Sequence, residues 1–166
     1  MGVGRWVVRA ACTQRAAWRA RGSDRIVWVN VSGRQLDRYI IVDHVREALA
    51  MSALDPASLT LEITETALMR NIDATANRLR RLKALGVQIA IDDFGTGYSS
   101  LAYLQRFPVD CIKIDRVFTD AITRSPESDA LIHTLVQLGK DMGLRTLAEG
   151  VETTGQLHQT RVEGAA

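Results

Sequence analysis

The stretch IAIDDFGTGYSS, residues 89–100, decides how this chain is interpreted. An apolar run stops at two adjacent carboxylates, Asp92 and Asp93, and a short loop with two glycines follows. This pattern is typical of a buried parallel strand that delivers acidic groups to the mouth of an α/β fold. Side chains alternate along a strand, so the two carboxylates are expected on opposite sides if the strand continues through both. The pair by itself favours a helix cap or an Asx-turn.

Four further apolar runs end at a polar residue or pass through one. They are IVWVN (26–30), LTLEITE (59–65), VDCIKID (109–115) and LRTLAEGVE (144–152). Helical patterns separate the runs, and strands alternating with helices predict βα units around a parallel sheet. The carboxyl ends of such strands meet on one face, where we expect Asn30, Glu62, Asp92, Lys113 and Glu149 to converge. Oxygen ligands around a gap suit Mg²⁺ or Mn²⁺.

Two of these residues occupy surroundings that should be buried, since Glu62 and Lys113 each lie between two large aliphatic residues. A buried charge needs a partner, a metal ion or a shifted pKa. Lys113 could balance the carboxylates, hold an attacking water or stabilise phosphate charge. An ion pair with Asp115, two residues along the same strand face, is an equally good explanation.

Together, five ordered motifs closely resemble the EAL domain family, whose members are phosphodiesterases for cyclic di-GMP. The motifs fall within about residues 3–157 and are NVS (30–32), LEITE (61–65), DDFGTGYSS (92–100), KID (113–115) and AEGVE (148–152). The resemblance implies an α/β fold of the TIM-type (β/α) barrel with parallel strands. It also implies Mg²⁺ or Mn²⁺ as cofactor, cyclic di-GMP as ligand and linear pGpG as product.

The resemblance assigns roles to individual residues. It implies that the catalytic residues are Lys113 and Glu149, with Glu149 as base or metal ligand. It implies that the metal ligands are Asn30, Glu62, Asp92 and Asp93. Contacts with the substrate are expected from Gln35, Asp115 and Glu152.

A regulatory loop is implied as well, and it would couple the site to a homodimer. Its members are Phe94, Gly95, Thr96, Gly97, Tyr98 and Ser99, with Glu65 as the anchor. From the residues alone, Glu65 is also interpreted as a first-turn helix acid that satisfies the helix dipole. Both interpretations of Glu65 are compatible.

The composition limits the other possibilities. The chain has 166 residues, is 46% hydrophobic and carries a net charge of +2 from 21 basic and 19 acidic residues. These values indicate a globular domain and exclude a protein that coats nucleic acid. No apolar run is long enough to span a bilayer. The two cysteines lack metal-ligand spacing and a disulfide-rich context, so a cytoplasmic location is expected.

One helix in the middle of the chain has a pronounced basic face. Its apolar stripe of Ala and Leu residues runs from Ala76 to Leu85, Asp73 is the expected cap, and Gly86 is the expected stop. The basic residues are Arg78, Arg80, Arg81 and Lys83. Such faces are usually solvated surface, which we favour over a nucleotide-binding patch.

The family pattern is incomplete at both ends of the chain. A full (β/α)₈ barrel needs roughly 200 residues or more. The signature Glu-Ala-Leu segment is absent, and residues 158–166 do not resemble the expected helix and last strands. We therefore expect a partial EAL domain over residues 1–157 with a divergent tail over residues 158–166. The alternatives are an inactive relic that binds cyclic di-GMP or a partner protein without turnover, and a fragment that does not fold stably alone.

Overall fold

A computed structural model describes residues 2–96, 101–122 and 126–165 of the chain. The strands are β1 (Val27–Asn30), β2 (Leu59–Thr64), β3 (Gln88–Phe94), β4 (Cys111–Ile114) and β5 (Arg145–Ala148). The helices are α1 (Val3–Arg19), α2 (Gly33–Leu36), α3 (Ile40–Ser52), α4 (Glu65–Met69), α5 (Ile72–Lys83), α6 (Leu101–Leu104), α7 (Arg116–Thr119), α8 (Pro126–Asp141) and α9 (Thr154–Glu163). A short 3₁₀ helix, Pro56–Ser58, precedes β2.

The strands form one parallel sheet in the order β1-β2-β3-β4-β5. Each neighbouring pair is parallel and is joined by a crossover that contains helix. Sequential order with helical crossovers follows from βα units wound in one direction. The predicted α/β fold with parallel strands is confirmed.

The hydrophobic core lies between the sheet and the helices. Leu61, Ile89 and Ile112 point to this side and are inaccessible to solvent. Leu79 and Leu82 of α5 are equally buried and pack against the strands. Burying large aliphatic side chains of this kind contributes roughly 1.5–3 kcal/mol each to folding. This packing holds the strands in register and thereby fixes the positions of their carboxyl ends.

The opposite side of the sheet carries the polar residues. Asn30 is in register with Glu62, Glu62 with Ala90, and Ala90 with Cys111. Residues in register on neighbouring strands point to the same side of a sheet. Glu62 and Lys113 therefore share a side, although both are also largely buried.

The structure of helix α5 differs from two predictions, one about its cap and one about its basic face. The helix begins at Ile72, and its cap is Asn71, whose Oδ1 accepts a hydrogen bond from the amide of Ala74 at 3.2 Å, so the expected cap at Asp73 is wrong. The basic face is also only partly solvated. Arg78 is buried, and its guanidinium packs against the ring of Tyr39. Lys83 is half-buried in an ion pair with Asp110.

The carboxyl-terminal segment is helical. Helix α9 begins after Thr153, whose side chain and Gln156 form a capping box, and it ends at Glu163 before Gly164 in a left-handed conformation. The boundary between residues 157 and 158 stays a prediction. Among the described residues, no helix combines the length and the apolar character that crossing a membrane requires.

Candidate active site

Lys113 lies at the centre of the polar cluster. It stands on β4, and its Nζ is 2.6 Å from Glu62 Oε1, 2.8 Å from Asp92 Oδ1 and 2.5 Å from Glu149 Oε1. These three carboxylates come from β2, β3 and the residue after β5, so Lys113 joins four strands. The predicted convergence of these residues is observed in the structure.

Of the two explanations left open for Lys113, the ion pair with Asp115 is not found among the ion pairs of the described residues. The carboxylate of Asp115 instead accepts a hydrogen bond from the amide of Val117 at 2.8 Å and caps the short helix α7. The chain leaves the strand at Asp115, so the alternation on which the prediction depended ends there. Asp115 still lies near the cluster, since its charge is among the causes that raise the pKa of Asp93.

The charge on Lys113 is stabilised by its partners. Burial by itself lowers the pKa of Lys113, but hydrogen bonds to Asp92, Glu149 and Glu62 outweigh burial and raise this pKa above its ordinary value. The ammonium group therefore stays protonated at neutral pH. One positive charge faces three carboxylates, so the cluster retains a negative excess that attracts a further cation.

Asp92 and Asp93 meet on one side of the strand, so the expectation of opposite sides is wrong. The register between β3 and β4 shifts between Ile91 and Phe94, and Asp93 has a φ of +55°. A bulge of this kind re-aims a side chain that ideal alternation would direct to the other face. Carboxylate oxygens of Asp92, Asp93 and Glu149 consequently lie within 4.8 Å of one another.

This crowding of acids changes the ionisation of Asp93. Burial, the charges of Asp92, Asp115 and Glu149, and the hydrogen bond with Asp115 all raise its pKa. Each of these causes penalises the negative charge of Asp93 in the absence of a cation. The arrangement is thus poised for a positively charged ligand.

The donor set fits a hard divalent cation. Asp92, Asp93 and Glu149 offer oxygen ligands at a spacing that one ion can bridge. Mg²⁺ and Mn²⁺ prefer such carboxylate oxygens. Two other predicted ligands lie beside this group. Glu62 is linked to it through Lys113, and Asn30 is in register with Glu62 at the end of the edge strand β1.

The predicted substrate-contacting residues have different surroundings. Gln35 is engaged locally: its Oε1 accepts hydrogen bonds from the amide and hydroxyl of Ser32 at 2.9 and 2.7 Å, and its Nε2 rests against Gly4. Glu152 is exposed beyond β5, 3.9 Å from Arg116. Glu152 is therefore accessible to a ligand, whereas the amide oxygen of Gln35 is already engaged in its capping box.

The start of the loop after β3, for which a regulatory role was predicted, is held by Glu65. This residue begins α4, is only 2% exposed, and its Oε2 accepts a hydrogen bond from the amide of Gly95 at 3.0 Å. Phe94 is buried, and Thr96 Oγ1 donates to the carbonyl of Asp93 at 2.8 Å. The predicted loop residues Gly97, Tyr98 and Ser99 lie outside the described residues.

Sequence reasoning missed one supporting residue, Asp110. Its carboxylate accepts hydrogen bonds from Lys83 Nζ and from the amide of Ile89, each at 2.8 Å. Its backbone bonds to Ile89 and to Arg145, so it ties α5, β3 and β5 together one residue before β4 begins. The signal was the lone acid between Val109 and Cys111 in the apolar run 109–115, to which no role was assigned.

Comparison with known proteins identifies the family. A sequence model described as the EAL domain matches residues 2–164. The chain is 45% identical over 153 residues to the cyclic di-GMP phosphodiesterase NbdA of Pseudomonas aeruginosa, a match covering 92% of this chain and 20% of that protein. It is 44% identical over 155 residues to the bifunctional diguanylate cyclase/cyclic di-GMP phosphodiesterase MucR of the same organism, covering 93% and 23%. The chain belongs to the EAL domain family and spans about a fifth of the length of these relatives.

Solved structures agree with this assignment. The MucR phosphodiesterase in complex with cyclic di-GMP matches with a TM-score of 0.93 at 42% identity, over 98% of this chain and 66% of that one. A calcium and cyclic di-GMP complex of BlrP1 from Klebsiella pneumoniae matches with a TM-score of 0.84 at 29% identity, over 97% and 41%. The predicted partial TIM-type barrel is confirmed by these matches.

Proposed function

We propose that this EAL domain hydrolyses one phosphodiester bond of cyclic di-GMP and releases linear pGpG. The single observation that carries the proposal is the cluster in which Lys113 contacts Glu62, Asp92 and Glu149. A carboxylate oxygen of Asp93 lies within 4.8 Å of those of Asp92 and Glu149. A phosphodiester is anionic, so its approach to a carboxylate cluster requires intervening positive charge. Lys113 supplies part of that charge and a divalent cation the rest.

The cation would be held by Asp92 and Asp93, with Asn30 and Glu62 as further oxygen ligands and Glu149 within reach. When bound, a Mg²⁺ or Mn²⁺ ion supplies Lewis acidity and activates water towards phosphorus. The residues that would hold it belong to adjacent strands, β1, β2 and β3. Support comes from the calcium complex of the homologous BlrP1.

Glu149 and Lys113 would have the remaining catalytic roles. Glu149 Oε1 lies 2.5 Å from Lys113 Nζ, and its side chain is one-third exposed, so it can receive a proton from an incoming water. Lys113 donates from a fixed position, because three carboxylates restrain its Nζ. It would orient the water and stabilise negative charge that develops on the phosphate.

Binding of the nucleotide and association of two domains are extensions of the same proposal. Asp115 and Glu152 stand at the rim beside the cluster, and Gln35 is the third proposed contact. The loop that Glu65 holds through Gly95 adjoins Asp93, so a homodimer formed through that loop would act directly on the metal-binding residues.

The decisive experiment measures pGpG formation by chromatography with Mg²⁺ and with chelator. Wild type should form product only with the metal, and Glu149→Gln should lower the rate by about 100-fold or more, the usual contribution of an acid–base group. Glu47→Gln, a change at an exposed carboxylate paired with Arg5 on the far helices, is the matched control and should keep wild-type activity. Unchanged hydrolysis in Glu149→Gln would refute the assigned role.

A second candidate function is binding of cyclic di-GMP without turnover. It is favoured by the internal charge compensation, since Lys113 already pairs with three carboxylates of the cluster. In that case cyclic di-GMP with Ca²⁺ should raise the melting temperature, because a ligand of the native state stabilises it. No pGpG should then form with Mg²⁺, and detection of product would exclude this candidate.

A further inference from the structure

Two arginines share one tyrosine ring on the outer helices. The Cζ atom of Arg78 lies 4.9 Å from the ring centroid of Tyr39, and that of Arg81 lies 5.4 Å from it. The arginines are three residues apart on α5, so their side chains are neighbours on its surface. Tyr39 lies directly before α3 and its ring is half-exposed. We refer to these three residues as the Tyr39 cluster.

The cluster has positive charge without a counterion. Within residues 2–96, 101–122 and 126–165, neither Arg78 nor Arg81 forms an ion pair or hydrogen bond with a carboxylate. Arg78 is only 8% exposed, and its Nε and Nη1 are buried with no hydrogen-bond partner. A tyrosine ring attracts each cation but carries no net charge, so repulsion between the two guanidinium groups is not neutralised.

Other arginines nearby differ from this pair. Arg80, between them in sequence, donates to Asn77 Oδ1 at 2.6 Å. Arg46 pairs with Asp43 at 2.5 Å, and Arg70 with Asp37 at 3.5 Å. Arg46 and Arg70 are thus paired with carboxylates and Arg80 is hydrogen-bonded to a neutral amide, whereas among the described residues the arginines of the Tyr39 cluster have neither kind of partner.

We propose that the Tyr39 cluster is a binding site for a phosphate-bearing anion. Guanidinium groups match phosphate oxygens in charge and in fork geometry. Nη2 is the nitrogen of Arg78 that is not buried, and Arg81 is exposed, so both can donate to a ligand at the surface. The ring of Tyr39 contacts both guanidinium groups and so restrains them before the ligand arrives, which lowers the entropy cost of binding.

The site is separate from the carboxylate cluster. The Tyr39 cluster belongs to α5 and the start of α3, which contribute no side chain to the contacts of Lys113. Anion binding there requires no divalent cation and no cyclic di-GMP. Its outcome is thus independent of whether the chain hydrolyses the nucleotide.

The test is calorimetric titration of the chain with pyrophosphate, without divalent cations and at about 0.15 M ionic strength, where nonspecific attraction is screened. We expect saturable binding to wild type and about tenfold weaker binding to Arg81→Gln, since one charge-assisted hydrogen bond is worth roughly that factor. Arg80→Gln removes the same charge from the adjacent position and should bind like wild type.

The variants also separate the possible failures. Arg81→Gln is the deciding variant because Arg81 is exposed, whereas a change at the buried Arg78 could prevent folding; a melting curve of each variant checks this. Absence of saturable heat with wild type would overturn the proposal. Equal affinity of Arg81→Gln and wild type for pyrophosphate would also overturn it. Equal losses of affinity in Arg81→Gln and Arg80→Gln would overturn it as well, because they would show attraction to the basic face in general.

Discussion

Replacing Lys113 by methionine should destabilise the domain in a way that depends on pH and on metal. Methionine has a similar length and keeps the apolar stem, but it leaves Glu62 and Asp92 as buried carboxylates without their cation. Removing one partner from a buried ion pair costs about 3–5 kcal/mol. Glu149 is one-third exposed and adds little, because solvent screens its charge. We therefore expect a loss of about 3 kcal/mol in the free energy of unfolding at pH 7.

The sign of the pH dependence follows from the pKa of each group. The pKa of Lys113 is raised in the folded state, so its stabilising contribution is complete below the ordinary lysine pKa and is lost only as the pH rises through the raised value. Near neutral pH wild type keeps that contribution. The variant lacks that contribution, so its deficit should be complete at pH 7 and should shrink only as the pH rises towards the raised pKa of Lys113.

The assay is urea denaturation monitored by circular dichroism, in chelator and in Mg²⁺. The cluster of Lys113→Met has a larger negative excess, so Mg²⁺ should stabilise the variant more than wild type. Lys83→Met is the matched control, because the Lys83–Asp110 pair is half-buried and distant from the carboxylates. It should lose about 1 kcal/mol without any response to Mg²⁺. A Lys113→Met deficit below 1 kcal/mol at pH 7 in chelator would refute the reasoning.

Three further predictions concern the neighbourhood of Asp93. The pKa of Asp93 is raised, so its negative charge destabilises the metal-free fold at pH values above that pKa. Asp93→Asn should therefore raise the melting temperature at pH 7 in chelator, and this gain should vanish on acidification. Gly95→Ala should lower the free energy of unfolding, measured by calorimetry, by about 1–3 kcal/mol, since φ is +94° and a Cβ would lie 2.9 Å from Phe118. Gly143→Ala is the control: its φ is +68° but a Cβ would meet open space, so it should lower the free energy of unfolding by only about 1 kcal/mol. Glu65→Ala should accelerate hydrogen exchange of the Gly95 amide, which Glu65→Gln should protect, and equal exchange in both variants would contradict the bond.

The elements that sequence reasoning predicted well share a simple cause. Five apolar runs separated by helical patterns predict a parallel sheet. In a parallel sheet the carboxyl ends of all strands lie at the same edge. Lys113 and Glu62 stood out because a charge between aliphatic residues must find a partner inside the fold. Their direct contact at 2.6 Å satisfies that requirement.

The features that the sequence did not predict depend on tertiary geometry. The alternation rule put Asp93 on the wrong side, because the bulge arises from the pairing of β3 with β4 and has no local signature. Arg78 was predicted to be solvated because its helical face is basic, yet it is buried and packs against Tyr39 from another segment. The capping box that engages the amide oxygen of Gln35 was also not predicted, and contact of Gln35 with a substrate stays a prediction.

The left-handed backbone at Asp93 restricts which amino acids can replace it. A φ of +55° is tolerated by glycine, asparagine and aspartate far better than by residues with longer side chains. Glutamate would preserve the charge and the oxygen ligands, but it lacks the short side chain that suits this conformation. Ligand chemistry alone permits either acid, whereas the backbone favours aspartate by roughly 1–2 kcal/mol. The apparently conservative exchange of aspartate for glutamate at this position is therefore disfavoured by the backbone conformation, although it keeps the charge.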